Sequence, residues 1–204
     1  MRIRITFSKT GALCYIGHLD LQTIWERSAR RADLPLAYSQ GFHPQPKINI
    51  ASALPLGFSS RCEMVDLRLK EDVDLDALPQ RLQTAMPSGI GILKVENVDE
   101  SLPALQTQIV SAEYEVTLTE AVDRSVLKRK IDELLANESL PRERRGKTYD
   151  LRPLIENLDA ISKDKIHMRL SAREGATGRP DEVLDALGVP LEQTRVERTR
   201  LIFR

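Results

Sequence analysis

The sequence predicts an α+β protein made of two tandem ferredoxin-like domains, each with an antiparallel sheet. Three observations lead to this prediction. Residues 2–8 alternate apolar and polar side chains, as a half-buried strand does, and residues 19–32 carry apolar side chains at helical spacing. The order β-α-β-β-α-β then occurs twice in the chain of 204 residues. We therefore expect an N-terminal domain over residues 1–100 and a C-terminal domain over residues 107–204, joined by a polar link.

The N-terminal half supplies the first copy of this order. Ile3, Ile5 and Phe7 alternate with polar residues in the first strand. Asp74 or Asp76 suits the N-cap of the second helix, because a side-chain oxygen there accepts a hydrogen bond from an unpaired backbone N–H. The predicted elements are strand 2–8, helix 19–32, strands 47–53 and 61–69, helix 75–86 and strand 90–98.

The C-terminal half repeats the order of elements without a convincing residue-by-residue repeat. A turn at 162–164 separates two predicted strands. Pro180 begins the last helix and Gly188 ends it. The predicted elements are strand 108–118, helix 121–136, strands 153–161 and 165–172, helix 180–187 and strand 195–203.

The composition is that of a globular protein, with 41% hydrophobic and 29% charged residues. The 30 basic and 30 acidic side chains balance, which argues against bulk attraction to nucleic acid but leaves local basic surfaces open. No apolar run is long enough to span a membrane, and the first residues do not resemble a signal peptide. We therefore expect a cytoplasmic protein. Cys14 and Cys62 are too few for a disulfide framework or a four-thiolate cluster.

Residues 41–57, GFHPQPKINIASALPLG, form the most distinctive segment. Its first two prolines stiffen the chain ahead of Lys47, because proline fixes φ and restricts the preceding residue. We expect this loop to present Phe42 and His43 for stacking on unpaired bases, with Lys47 at a phosphate. The alternative is that Phe42 fills the core and the prolines only set a turn.

Basic residues gather in two predicted loops of the C-terminal half. A basic run at 142–147 precedes Arg152, and the glycine-bearing loop 175–180 carries Arg179. Such runs are most often solvated faces. The alternative is a surface that binds a phosphate backbone. The candidate phosphate contacts are Arg144, Arg145, Lys147, Arg152 and Arg179.

His18 lies at the start of the first helix, where unpaired backbone N–H groups can hold an anion. The alternative is that His18 only caps the helix or packs against a neighbouring aromatic ring. In a ferredoxin-like domain the loop that carries His43 lies at the opposite end from His18, so one small ligand does not readily contact both. A zinc site built from Cys14, His18, His43 and Cys62 has irregular spacing. We therefore expect no metal and no cofactor.

Four blocks, in this order along the chain, resemble a known bacterial family. They are IGHLDL (16–21), GFHPQPKINIASALPLG (41–57), YDLRPLI (149–155) and GRPDEVLDALG (178–188). Through them nearly the whole chain resembles the bacterial radical SAM-associated domain of unknown function. The resemblance implies an accessory module for a radical SAM enzyme that acts on RNA or a ribosome-linked target, and it carries over no catalytic residues. Because the chain lacks the radical SAM half of fused members, the partner enzyme must be a separate protein.

A weaker likeness is to the repeat-processing endonucleases of CRISPR systems, which are similar in having tandem ferredoxin-like domains. Their C-terminal glycine-rich loop is not matched by residues 171–180. The residues available for acid–base catalysis are Tyr15, His18, His43 and Lys47. Such catalysis requires groups within hydrogen-bond reach of the reacting atoms, and the expected layout separates them.

We therefore expect a non-catalytic module that binds RNA, or an RNA–protein target, in the cleft between the domains and works with a separate radical SAM enzyme. The binding residues would be the loop residues 42, 43 and 47, the five basic candidates above, and His18. Two alternatives remain: a metal-independent RNA-processing endonuclease that uses His18 or His43, and an adaptor that binds only protein.

Overall fold

A computed structural model describes residues 1–144 and 146–204 of the chain. The chain divides into two units, Met1–Gln108 and Ile109–Arg204. Each unit combines helices with an antiparallel sheet, so the predicted α+β class is confirmed.

The first unit follows the predicted order of strands and helices. Its elements are β1 (Arg2–Lys9), a 3-10 turn (Gly11–Tyr15), α1 (His18–Arg31), β2 (Ile48–Ile50), β3 (Ser59–Arg68), α2 (Leu78–Ala85), β4 (Ile90–Val98) and α3 (Leu105–Gln108). Strand β1 pairs with β3 and β4, and β2 pairs with β3, all in antiparallel orientation. The strand order in this unit is therefore β4-β1-β3-β2.

The second unit contains the predicted elements and an additional hairpin. Its elements are β5 (Ile109–Leu118), α4 (Arg124–Ala136), β6 (Pro141–Arg144), β7 (Lys147–Asp150), a 3-10 turn (Arg152–Leu154), β8 (Ile155–Ala160), β9 (Lys165–Arg173), β10 (Ala176–Thr177), α5 (Pro180–Ala186), a 3-10 turn (Leu191–Gln193) and β11 (Thr194–Phe203). Strand β5 pairs with β9 and β11, and β9 also pairs with β8 and β10. The main order is β8-β9-β5-β11, while β6 and β7 form a separate two-stranded sheet.

The core of the first unit lies between one face of its sheet and helix α1. The predicted alternation in β1 holds, because Ile3, Ile5 and Phe7 are completely buried. Trp25 of α1 is also completely buried and meets the Phe7 ring edge to face, with 4.9 Å between the ring centroids. Burial of each such side chain stabilises the fold by about 1.5–3 kcal/mol, so this face anchors the helix to the sheet.

The opposite face of β1 is held by a buried ionic cluster. Arg2 and Asp66 are only 2% and 1% exposed. The Asp66 carboxylate accepts hydrogen bonds from Arg2 Nη2 at 2.6 Å and from Arg4 Nε at 2.8 Å. Arg2 also donates to the carbonyl oxygens of Leu102 and Pro103, at 2.7 and 2.9 Å. The predicted polar link therefore packs onto this face, and the first unit extends to residue 108 instead of ending at residue 100.

Two local predictions were wrong. Helix α2 begins at Leu78 with Ala77 in the N-cap position, because the Asp74 carboxylate instead accepts a hydrogen bond from the backbone N–H of Asp76 in a turn before the helix. The basic run expected to be a loop forms the β6–β7 hairpin.

We predict that Asp66→Asn destabilises the first unit by about 3 kcal/mol or more, since breaking a buried ion pair leaves charge uncompensated in the interior. Urea unfolding followed by circular dichroism measures the change. Asp72→Asn is the control, because Asp72 is exposed. Equal midpoints for the two variants would show that the cluster does not support the fold.

Candidate functional site

The loop that carries Phe42 is closed at its base by backbone pairing. Tyr38 pairs with Pro46 as an isolated bridge, and the backbone N–H of Ser39 donates to the carbonyl oxygen of Gln45 at 2.8 Å. The N–H of Gln45 donates in turn to Ser39 Oγ at 2.9 Å. Phe42 lies at the tip and is 102% exposed. The prediction that this loop exposes Phe42 is confirmed, and the alternative that Phe42 fills the core is excluded.

Cationic side chains surround the base of this loop. The Tyr38 ring has Arg30 at 5.9 Å and Lys70 at 5.7 Å from its centroid, and Arg30 Nη2 donates to the Tyr38 hydroxyl at 3.1 Å. His43 and Lys47 are exposed beside Phe42 along the chain. The loop therefore combines one free aromatic ring with several positive charges, the combination used to hold unpaired nucleotides.

His18 lies at the other end of the first unit. It is the first residue of α1, a helix of 14 residues and therefore about 20 Å long. Arg30, near the far end of that helix, contacts the base of the Phe42 loop. The turn at 54–60 lies at the His18 end, because the Gly57 N–H donates to the carbonyl oxygen of Cys14 at 2.9 Å. The layout therefore separates His18 from His43, which disfavours a joint acid–base site.

The two cysteines lie in different environments. Cys14 is buried, and burial raises the pKa of its thiol above the usual value. Cys62 is half-buried, with its Sγ 3.6 Å from Ser60 Oγ. Within residues 1–144 and 146–204, no three His, Cys, Asp or Glu side chains are placed to hold a metal ion together.

In the second unit, Arg144 is bound on several sides by groups of that unit. Its Nε and Nη2 donate to the two carboxylate oxygens of Glu182, at 2.9 and 2.5 Å. It also donates to the carbonyl oxygen of Thr177 at 3.3 Å and to the Tyr149 hydroxyl at 2.9 Å. Its guanidinium group stands 4.8 Å from the centroid of the Tyr149 ring. Arg144 therefore attaches the hairpin to α5.

The other basic candidates divide into paired and exposed residues. Arg179 binds Asp181 at 2.8 Å, and Arg152 Nε donates to the carbonyl oxygen of Leu135 at 3.1 Å. Lys147 is exposed, and no described residue accepts a hydrogen bond from its side chain. Arg145 lies outside the described residues.

Sequence reasoning missed the residues that hold these arginines. Glu182, Asp181 and Asp185 lie on α5, for which the sequence pattern indicated only the residues at its two ends. Three acidic residues on one short helix, together with a basic run of similar length, were the pattern that could have indicated these ion pairs. The pattern did not identify the partners, because Arg144 and Glu182 are 38 positions apart in the sequence.

Two cavities lie in the second unit, and none of the described candidate site residues lines either of them. One measures about 170 Å³ and the other about 440 Å³, and both are lined by Lys130 and Gly188. Lys130 Nζ donates to the carbonyl oxygen of Leu187 at 3.3 Å, which ties α4 to the end of α5. Its amino group is therefore engaged with the protein backbone.

Tyr149 is the group in this region whose ionisation changes most. Burial raises its pKa from 10.0 to about 12, and its contact with Glu182 acts in the same direction. A raised pKa means that the folded state disfavours the phenolate. The resulting stability is fully present below pH 10 and is lost as the pH rises towards 12.

We predict that Tyr149→Phe makes the second unit less sensitive to alkali, because the replaced ring has no proton to lose. Thermal unfolding of both proteins at intervals from pH 9 to about 12 measures the effect. The wild-type midpoint should fall more steeply above pH 10 than that of the variant. Parallel curves would contradict this assignment.

The helices of the described residues include none that is long and apolar enough to cross a membrane.

Comparison with known proteins identifies the family to which the chain belongs. No curated protein matches the chain. A solved structure of a protein named as a dyp-type peroxidase from Shewanella oneidensis is similar at 10% identity over 95% of this chain and 88% of that one, with a TM-score of 0.22. A family model matches residues 2–180, and the chain therefore belongs to the bacterial family described as "Uncharacterized protein conserved in bacteria (DUF2344)".

Proposed function

We propose that this protein is a non-catalytic binding module that holds RNA, or an RNA–protein target, for a separate radical SAM enzyme. The observation that carries the proposal is the complete exposure of Phe42 on a loop fixed at its base. A large exposed aromatic side chain gains little from folding, so its position is better explained by a binding partner.

The rigidity of the loop supports this role. Two hydrogen bonds between Ser39 and Gln45, one to a backbone carbonyl oxygen and one to a side-chain hydroxyl, fix residues 38–46 in the absence of a ligand, together with two prolines. A preorganised loop loses little conformational entropy on binding. Stacking of one base on an aromatic ring is worth roughly 1–3 kcal/mol, so Phe42 alone can contribute measurable affinity.

Positive charge supports RNA over an uncharged ligand. Lys47 follows Phe42 and His43 in the same loop and is exposed, and Lys147 is exposed in the second unit. Arg144 and Arg179 donate to carboxylates, and Arg152 donates to a carbonyl oxygen, within their own unit, so a phosphate would have to share or replace these acceptors. The location of the ligand between the two units, and the parts of Arg145 and His18, remain predictions.

The strand orders support a ferredoxin-like domain in each unit. In both units the first strand lies between the third and the fourth strand of the βαββαβ order, and the pairs are antiparallel. The proposed partnership with a radical SAM enzyme rests on the resemblance of four sequence blocks, at 16–21, 41–57, 149–155 and 178–188, to the radical SAM-associated domain.

A second candidate is an adaptor that binds only protein, and the same exposed ring favours it. Aromatic side chains are common anchors at protein interfaces, where one ring fills a pocket of the partner. The two functions differ in whether the ligand carries phosphates, and binding of the RNA proposed here should weaken strongly as salt increases.

We predict that the protein binds single-stranded RNA with an affinity that falls as salt rises from 50 to 200 mM. Phe42→Ala should weaken binding by roughly 1–3 kcal/mol through loss of stacking. Fluorescence anisotropy with labelled RNA in EDTA measures both effects. Leu93→Ala is the matched control, because Leu93 is an exposed apolar residue on β4 and should leave affinity unchanged.

Three outcomes separate the hypotheses. Absence of salt-dependent RNA binding rules out the RNA module. If Phe42→Ala instead abolishes binding to a purified radical SAM enzyme, the protein is an adaptor. Cleavage of the RNA in EDTA would identify a metal-independent nuclease.

A further inference from the structure

We propose that the carboxylates of α5 compete with the phosphates of a nucleic acid for the arginines of the β6–β7 hairpin, so that the hairpin is released when RNA binds. The inference rests on the proposed function and concerns the regulation of the same basic surface. In the absence of RNA, carboxylates of α5 occupy the arginines that would otherwise bind phosphates.

The geometry of the pairs carries this inference. Glu182 and Asp185 are three positions apart and lie on one side of the helix. Arg144 binds Glu182 with two nitrogens, and Arg142 Nη2 lies 3.4 Å from Asp185 Oδ2. Arg142 and Arg144, the two half-buried arginines of β6, are thus each paired with a carboxylate on the same side of α5. The guanidinium fork matches carboxylate and phosphate oxygens equally well, so a phosphate backbone can replace these partners without new geometry.

The hairpin is built so that its body can separate while its base stays closed. An isolated two-stranded sheet is marginally stable, so β6 and β7 depend on contacts beyond their own pairing. The base is closed independently, because the Asp150 carboxylate accepts hydrogen bonds from the N–H groups of Leu140 and Arg152, at 2.7 and 2.9 Å. Loss of the arginine pairs would therefore free the strands without opening the base.

The closed arrangement also leaves one donor unsatisfied. Arg142 Nε is buried and has no acceptor among the described residues. A buried donor without a partner disfavours the state that contains it. The carboxylate of the Arg142–Asp185 pair is largely exposed, and exposed pairs of this kind contribute little net stability. Several phosphates in a row can therefore compete with two carboxylates.

The test removes the carboxylates of α5 that bind Arg142 and Arg144 and keeps both arginines. The double variant Glu182→Gln with Asp185→Asn is compared with Asp132→Asn with Glu133→Gln on α4. The control changes the net charge equally and frees Lys128 and Arg129 from exposed pairs. With single-stranded polyuridylate as the probe, two freed arginines should add about 1.4 to the salt slope. The affinity of the α5 variant relative to the control should therefore rise about sevenfold between 200 and 50 mM salt.

Trypsin cleavage after Lys147 reports the state of the hairpin without any RNA. Both the α5 double variant and Arg144→Gln should be cut several-fold faster than the wild type, because each breaks the attachment to α5. Only the α5 variant should gain affinity, since Arg144→Gln removes the cation. A gain in both would show that loosening, and not arginine release, raises affinity, and would overturn the inference.

The remaining outcomes distinguish this inference from the proposed function. If the wild type binds polyuridylate and the α5 variant matches its control at both salt concentrations, the competition is wrong and the RNA module stands. Unchanged trypsin rates in both variants also overturn the release of the hairpin. If neither the wild type nor the α5 variant binds polyuridylate at 50 mM salt, both proposals fail.

Discussion

The first unit depends on the buried carboxylate of Asp66, which binds two arginines. The outer face of β1 carries Arg2 and Arg4, and covering them requires a partner for their charge. Asp66 on β3 accepts hydrogen bonds from both, and Arg2 also donates to the carbonyl oxygens of residues 102 and 103. The segment after β4 therefore closes over this face. One acidic residue lets a strand with two arginines be buried on both sides.

The regular elements could be predicted because their information is local. The apolar residues of 90–98 predicted a strand, and these are the observed bounds of β4. The apolar stripe of α1 predicted the helix to within one residue at each end. The 3-10 turn at Gly11–Tyr15 was missed because no periodic pattern marks such a short segment. The N-cap of α2 was misplaced because Asp74 forms a local turn that competes with capping.

The candidate surface could be predicted only where one segment determines it. The prolines near Phe42 indicated a stiff exposed loop, and the exposure is complete. The basic run at 142–147 was a different case, because its structure depends on carboxylates in a distant part of the sequence. A charge run on its own predicts a solvated loop, whereas the same run opposite an acidic helix folds as a hairpin. The deciding interaction is tertiary and leaves no local pattern.

The ion pairs within the chain bear on how a protein of zero net charge could bind a polyanion. Where arginines are paired with carboxylates of α5, as Arg142, Arg144 and Arg179 are, binding of a polyanion would be an exchange of partners and not a simple attraction. Salt screens exposed charges strongly and half-buried pairs much less. Under the proposed exchange, the exposed Lys147 and Lys47 would make the first contacts with a polyanion, while the partly buried Arg144 would respond only when a phosphate has taken the place of Glu182. The same proposal implies selectivity for long polyanions over single phosphates, because several contacts must form together to displace carboxylates that are already in position.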